Sequence, residues 1–187
     1  MSHVSDEHRF VFLSVPYTKS TSTRRWLETR FGSIQYGGPH EMIIPDDSYF
    51  VWTICRNPID RALSLWRRIH RTPERRAYEA GEGKIPSTFL DFVRILESGK
   101  VIDYRGRGGS AQFWPQSRHL EGVKVDRHLR FEDVPDGLSS LPFVDCVGDF
   151  PHLSKNGWNQ GLSWEDVGSA EAQQLILSWD SVGVSCP

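Results

Sequence analysis

Apolar residues form short continuous runs along the chain, and these alternate with segments of helical spacing. Phe10–Val15 and Tyr49–Cys55 are continuous apolar runs, a pattern typical of strands buried in a parallel sheet. Ser20–Phe31 lies between them and places its apolar residues on one face, while Gly32 predicts where this helix ends. The pattern therefore predicts a strand–loop–helix unit followed by a second strand.

A second helix is predicted after Tyr49–Cys55. Asn57 is a favourable N-cap residue, Pro58 suits the first helical position, and apolar residues recur at helical spacing to about Arg71. This order of elements predicts an α/β fold, with a central, mostly parallel sheet flanked by helices. Further predicted elements are a short strand at Met42–Ile44, helices at Ser87–Leu96 and Ser169–Trp179, a strand at Val123–Phe131, a short helix from Glu132, and loops at Thr72–Lys84 and Val101–Gly109.

Length and composition favour one folded domain. A chain of 187 residues, 38% of them hydrophobic, can bury a core of its own. We expect a single domain over residues 1–187, with residues 1–8 flexible because they are polar and acidic. The net charge of -2 excludes the overall basic field of a nonspecific nucleic-acid binder, so no nucleic-acid partner is expected. The arginines of Arg67–Arg76 fit either local anion binding or a solvated helix face.

Cysteine usage and the length of the apolar runs predict a cytoplasmic protein. Cys55, Cys146 and Cys186 lie far apart and lack any paired spacing, so neither a disulfide framework nor a zinc site is expected. Met1–His8 has no apolar core of the kind a signal peptide needs, and every apolar run is too short to cross a membrane. No membrane partner is therefore expected.

The loop before the helix at Ser20–Phe31 has the composition of a phosphate-binding segment. A helix N-terminus offers N–H groups and a partial positive charge, and consecutive turned amides form an anion-binding nest. It is not a Walker A loop, because Leu13 and Thr18 stand where that motif needs glycine. A phosphate site and a merely well-capped helix both stay open. The candidate binding residues of the loop are Tyr17, Thr18, Lys19, Ser20, Thr21 and Ser22.

Arg56 and Ser64 form a second candidate phosphate-holding segment. Arg56 directly follows a predicted buried strand, at the edge of the sheet where ligands of open α/β folds collect. Its planar guanidinium suits bidentate binding of phosphate, and Ser64 lies two turns into the next helix. The alternative is structural: Arg56 pairs with Asp60, and Ser64 is a small packing residue.

Both segments resemble those of the PAPS-dependent sulfotransferases, which use 3′-phosphoadenosine 5′-phosphosulfate as donor. Val15–Ser22 resembles the 5′-phosphosulfate loop of the carbohydrate branch, which reads Pro-Lys-Thr-Ala-Ser-Thr-Ser in the uronyl 2-O-sulfotransferases. Tyr49–Ser64 (YFVWTICRNPIDRALS) resembles the 3′-phosphate segment, a strand followed by Arg-Asp-Pro-x-x-Arg-x-x-Ser. Weaker landmarks in the expected order are Phe113–Ser117, Arg130–Asp133, His152–Asn156 and Asp180.

The resemblance implies a fold, a donor and a reaction. The fold would be a P-loop-like, three-layer α/β domain, and the activity would be transfer of a sulfuryl group from PAPS to a hydroxyl or amine of a small-molecule or saccharide acceptor. PAP would be the product, and no metal would be required. Arg56 and Ser64 would hold the 3′-phosphate, Lys155 would be a further cofactor-binding residue, and Lys19 would stabilise charge on the leaving phosphate oxygen.

The loop departs from the family at its lysine. When the prolines are aligned, Tyr17 takes the place of the family's lysine, and Lys19 stands where the family has a small residue. Either Lys19 reaches the sulfate from a shifted position, or the loop has lost its catalytic ammonium. Alignment with the Lys-Ser-Gly-Thr-Thr of cytosolic sulfotransferases favours the shifted position.

His40 is the candidate catalytic base, because uronyl 2-O-sulfotransferases carry a catalytic histidine at a similar place and an unperturbed imidazole pKa suits the role. A surface histidine is the simpler interpretation, and Glu41 is the adjacent substitute. Two other functions stay open. One is a P-loop-type nucleotide kinase, which the missing glycines disfavour. The other is a catalytically inactive protein that binds PAPS or sulfate, which Tyr17 favours.

Overall fold

The computed structural model describes residues 1–37, 41–71, 86–99, 111–153 and 163–180. These residues fall into two compact units. The described parts of 1–56 and 119–153 form the first unit, and the described parts of 57–118 and 163–180 form the second. Neither unit is a continuous segment of the chain, and the expectation of one sulfotransferase-like domain over residues 1–187 stays a prediction.

A mixed sheet organises the first unit. Its five strands in the described ranges are β1 (Ser2–Ser5), β2 (Phe10–Leu13), β3 (Ile34–Tyr36), β4 (Phe50–Cys55) and β5 (Arg127–Arg130). Their order is β3-β1-β2-β4-β5, with β2, β4 and β5 parallel and β1 antiparallel to both β2 and β3. The α/β class is confirmed. The sheet is mixed, because β1 runs opposite to both of its neighbours, whereas the other described strands share one direction.

The helix α1 (Ser20–Phe31) follows β2 and has the predicted bounds. Gly32 ends it in the left-handed region at φ 57, where glycine carries no Cβ penalty, and its N–H donates to Leu27 O. Trp26, Leu27 and Phe31 are buried against the sheet core. Local capping and one apolar face were therefore sufficient to define this helix.

Residues 1–8 are not a flexible tail in this structure. The side chains of Ser2–Ser5 are buried, and Ser5 Oγ donates a hydrogen bond to Phe31 O at 3.0 Å. The short strand predicted at Met42–Ile44 is also wrong, because Ile43 N–H instead donates to Ser2 Oγ at 2.8 Å. Pairing with β2, rather than its own apolar content, makes Ser2–Ser5 a strand.

Aromatic residues fill the core of the first unit. Phe12 and Trp52 pair across β2 and β4, and their ring centroids lie 4.6 Å apart. Phe10 stacks on Phe143 at 4.1 Å. Each fully buried side chain of this size contributes roughly 1.5–3 kcal/mol relative to an exposed one. The carboxyl ends of β2 and β4 are thus held side by side by the core beneath them.

Helices form the second unit. The N-cap prediction is confirmed, since Ile59 N–H donates to Asn57 Oδ1 at 2.9 Å. The ring centroids of Trp66 and Phe92 lie 5.4 Å apart, and this contact joins two of these helices. No helix in the described ranges has the length and apolar character needed to cross a membrane. The helices are α2 (Pro58–Arg71), α3 (Phe89–Glu97), α4 (Gln116–His119, whose last residue belongs to the first unit), α5 (Trp164–Val167) and α6 (Ala170–Asp180).

Candidate anion-binding site

The predicted phosphate loop lies at the carboxyl end of β2 and leads directly into α1. Thr18 is fully buried, and its Oγ1 donates to Val15 O at 2.8 Å, which closes the turn. Thr23 N–H makes a helical hydrogen bond to Lys19 O at 3.0 Å. Lys19 is therefore the N-cap residue of α1, and the loop turns sharply just before the helix.

Two residues of this loop that are not glycine have left-handed backbone conformations. Tyr17 has φ 68 and Lys19 has φ 58. Such a conformation costs an L-residue roughly 1–2 kcal/mol, and it persists only where the surrounding fold maintains it. Left-handed residues in a turn help to build the concave arrangements of N–H groups that bind anions. The loop thus contains left-handed residues of the kind found in anion nests, although it lacks the glycines of a Walker A motif.

The first turn of α1 carries the three remaining hydroxyl residues. Ser20 is half-buried, Thr21 is exposed and Ser22 is buried. Ser22 Oγ accepts a hydrogen bond from Leu153 N–H at 3.2 Å. The Lys19 side chain makes no capping hydrogen bond to the first-turn amides, which leaves that end of α1 without a side-chain cap from its N-cap residue.

Lys19 reaches away from the helix towards the segment that follows β5. Its Nζ donates to Phe131 O at 2.9 Å and to Val134 O at 2.6 Å. Burial lowers the pKa of Lys19, the nearby Glu132 carboxylate opposes this, and Arg56 lowers the pKa further. The ammonium is therefore held at the loop by two backbone carbonyls.

Arg56 approaches the same loop from the neighbouring strand. It follows β4, which runs parallel to β2, and its Nη1 donates to Tyr17 O at 3.2 Å. Its Cζ lies 4.2 Å from the centroid of the Phe131 ring, and Lys19 Nζ lies 4.4 Å from the same centroid. The structure thus brings together Tyr17, Lys19 and Arg56 of the two candidate segments and adds Phe131 to them.

Phe131 has no role predicted from the sequence, where it belongs only to the landmark Arg130–Asp133 of the resemblance. An aromatic residue directly after a strand that neighbours β4 was the signal available. Lys19 and Phe131 are separated by 112 positions, so only the folded chain shows that they touch.

Ser64 belongs to α2 in the second unit, where it is half-buried. Its predicted cooperation with Arg56 stays a prediction. Three residues away, Arg61 is fully buried, with Nη1 3.6 Å from Asp180 Oδ2, and Nη2 donates to Trp114 O at 2.8 Å. Gln116 donates to the same carboxylate through its backbone N–H at 2.5 Å and its side-chain Nε2 at 2.8 Å.

This arrangement in the second unit joins residues from three of the sequence landmarks. Arg61 comes from the 3′-phosphate segment, Gln116 from Phe113–Ser117, and Asp180 stands alone near the end of α6. Burial raises the pKa of Asp180, while Arg61 and Gln116 act in the opposite direction. The three side chains therefore form a structural cluster that fixes α2 to α6.

The remaining predicted residues are described only in part. His40 and Lys155 lie outside the described residues. Glu41, the substitute base, is exposed, and His152 is exposed with its ring 5.9 Å from that of Phe150. Within the ranges that the structure describes, no group of three or more His, Cys, Asp or Glu residues is arranged to hold a metal ion.

Comparisons of the chain with protein-family models, with curated proteins and with solved structures found no match. Turned backbone, a helix N-terminus and two cations at the carboxyl ends of adjacent parallel strands together favour an anionic ligand.

Proposed function

We propose that this chain is a PAPS-dependent sulfotransferase of P-loop-like, three-layer architecture. It would transfer the sulfuryl group to a hydroxyl or amine of a small-molecule or saccharide acceptor and release PAP. The observation that carries the proposal is the convergence of Lys19 and Arg56 on the left-handed loop that joins β2 to α1.

Donor binding uses charge and backbone geometry. The 5′-phosphosulfate would lie against the turned loop and the first turn of α1, where Ser20, Thr21 and Ser22 add hydroxyl donors. Arg56 would bind the 3′-phosphate with its planar guanidinium, assisted by Ser64 and Lys155. A 3′-phosphate is what distinguishes PAPS from ATP, so Arg56 is the proposed specificity residue for the donor.

Transfer requires an attacking oxygen or nitrogen, a base and a stabilised leaving group. The acceptor atom forms a bond to sulfur while the bond between sulfur and the 5′-phosphate oxygen breaks. The acceptor proton goes to His40 or to Glu41. Lys19 offsets the charge that grows on the leaving oxygen. Its ammonium has three N–H donors, and Phe131 O and Val134 O accept two of these hydrogen bonds, so a third N–H can donate to the leaving oxygen.

The buried cluster of the second unit supports the resemblance on which the donor assignment depends. Arg61, Gln116 and Asp180 lie far apart in the sequence, yet their side chains meet. Three positions that match separate short motifs of the family therefore belong to one buried cluster in this chain. A chance likeness of isolated motifs gives no reason for such contacts.

A catalytically inactive PAPS-binding protein is the second candidate. The specific observation in its favour is that the Lys19 ammonium already donates to Phe131 O and Val134 O. A lysine held in this way can stabilise the loop without assisting transfer. Tyr17, in the place of the family's lysine, is consistent with the same interpretation.

Ligand-dependent thermal unfolding tests the donor assignment. We expect PAP to raise the melting temperature well above the effect of AMP, which lacks only the 3′-phosphate, and above that of ATP with magnesium, since a ligand that binds the native state stabilises it. Equal shifts for PAP and AMP would contradict the role of Arg56. Incubation with radiolabelled PAPS and saccharides, phenols, lipids and peptides then separates an active enzyme from an inactive binder.

A further inference from the structure

The ring of Phe131 contacts both cations of the candidate site. Lys19 Nζ lies 4.4 Å and Arg56 Cζ lies 4.2 Å from its centroid. Cations at such distances are attracted by the negative charge on the face of an aromatic ring. The Phe131 ring therefore contacts two cations from different elements: Lys19 at the N-terminus of α1, and Arg56 directly after β4.

Bringing two cations to one place costs electrostatic free energy. Arg56 is near enough to lower the pKa of Lys19, which is the signature of repulsion between their charges. Glu132 offsets part of this repulsion, and the carbonyl oxygens of Phe131 and Val134 hold the ammonium. These three groups act on Lys19, whereas the ring acts on Lys19 and Arg56 together.

We propose that Phe131 is a positioning residue whose ring holds the Lys19 ammonium and the Arg56 guanidinium at the loop before an anion binds. Preorganised cations give up less side-chain entropy on binding, so a ligand gains affinity without any new contact. The part of this inference that concerns PAPS depends on the proposed function. The positioning of the two cations does not depend on it.

Phe131 also packs at the edge of the hydrophobic core, where it is half-buried. Truncation would therefore disturb packing as well as the cations. Replacement by phenylalanines with one, two and three ring fluorines keeps the shape of the side chain and progressively removes negative charge from the ring face. Phe131→Tyr is the matched conservative variant, because it keeps an aromatic face of similar strength.

Two quantities are measured across the fluorine series. The first is the pKa of Lys19 in the ligand-free protein, followed by NMR of the lysine side chain, and the second is the affinity for PAP, measured by calorimetry. We expect the pKa to fall with each fluorine, because a weaker ring stabilises the ammonium less. PAP binding should weaken by about three- to tenfold over the series, and Phe131→Tyr should stay within about twofold of the wild type.

The same fluorines at Phe143, which packs on Phe10 in the core, are the control and should change neither quantity. An unchanged Lys19 pKa across the Phe131 series overturns the positioning role. A falling pKa with constant PAP affinity overturns the claim that positioning serves the ligand. If the wild type does not bind PAP, the donor assignment fails, while the pKa series still decides whether Phe131 positions Lys19.

Discussion

Arg61 and Asp180 form an ion pair with no exposed surface, in which 3.6 Å separates Nη1 from Oδ2 and both side chains are 0% exposed. Burial raises the pKa of Asp180, so its charged form depends on Arg61 and on the two hydrogen bonds from Gln116. Such a pair contributes little more to stability than a well-packed apolar substitute would, but either charge alone is very unfavourable in the interior. The cluster is therefore stable only when it is complete.

Asp180→Asn should lower the free energy of unfolding by about 3–5 kcal/mol, because it leaves the Arg61 charge buried without its counter-charge. Urea denaturation followed by circular dichroism measures this loss. Glu171→Gln breaks the exposed pair between Arg94 and Glu171 and is the matched control, for which we expect a much smaller loss. Similar losses in both variants would contradict the role assigned to the buried pair.

The double variant Arg61→Met/Asp180→Asn completes the experiment. It removes both charges, so it should be more stable than Asp180→Asn alone even though it carries one more substitution. The carbonyls of Gln112 and Trp114 lose the hydrogen bonds from Arg61, which limits the recovery of stability. Additive losses would show that the two charges do not stabilise each other.

Local physics explains which elements could be predicted from the sequence. The helix Ser20–Phe31 has an apolar face and a C-terminal glycine within its own residues, and its bounds were predicted correctly. The strands Ser2–Ser5 and Ile34–Tyr36 were missed, because each is too short to show a periodic pattern and acquires its conformation by pairing with a neighbour. Such pairing depends on residues distant in sequence, which periodicity does not detect.

The candidate site was predictable in the same uneven way. The candidate phosphate loop and Arg56 could be proposed from the sequence, because each adjoins a strand that has a clear apolar run. The partners of Lys19 were not, since Val134 O is 115 positions away and is a backbone atom, which leaves no trace in residue type. The left-handed conformation of Tyr17 is equally invisible, because tyrosine does not favour it.

Arg56→Ala should weaken PAP binding about 30-fold, equivalent to about 2 kcal/mol, because it removes charge-assisted hydrogen bonds to a phosphate. Calorimetric titration with PAP measures the change, and AMP affinity should change far less. Arg56→Lys keeps the charge but loses the planar pair of donors, so its affinity for PAP should lie between those of the wild type and Arg56→Ala. Arg25→Ala is the control, because Arg25 is an exposed arginine of α1, the helix that follows the loop. Unchanged PAP binding in Arg56→Ala would place the 3′-phosphate elsewhere.

Lys19→Met should reduce sulfuryl transfer about 100- to 1,000-fold, because it removes a preorganised cation from the leaving oxygen. PAP affinity should fall much less, since the leaving oxygen gains its charge only during the reaction. Single-turnover assays with radiolabelled PAPS give the rate, and calorimetry gives the affinity. Equal losses of transfer rate and PAP affinity would show that Lys19 only stabilises the loop through its hydrogen bonds to Phe131 O and Val134 O.

His40→Ala should abolish transfer while PAP binding is retained, since a base acts on the acceptor and not on the donor. Glu41→Gln is the matched variant at the neighbouring position. The variant that loses turnover identifies the base, and full activity in both would assign proton removal to another group. Measuring turnover and PAP affinity on the same preparation separates loss of the base from loss of folding.

Acid should destabilise the first unit through His3. This residue of β1 is 1% exposed, and neither of its ring nitrogens is hydrogen-bonded within the described structure. Burial, and then the charge of Arg24, lowers the pKa of His3 from 6.5 to about 4. The unfolded chain therefore takes up a proton near its ordinary pKa while the folded chain does not. The contribution of His3 to stability should therefore decrease as the pH falls from about 6.5 and should be fully lost at about 4.

Thermal unfolding between pH 7.5 and pH 4 measures this dependence, and the range of pH follows from the two pKa values of His3. His3→Gln lacks the imidazole that titrates in this range, so its melting temperature should fall less between pH 7.5 and pH 4 than that of the wild type. Arg24→Met removes the nearby cation and should reduce the fall, because the folded-state pKa of His3 then moves towards its ordinary value. Equal pH dependence in the wild type and His3→Gln would show that another group controls acid unfolding.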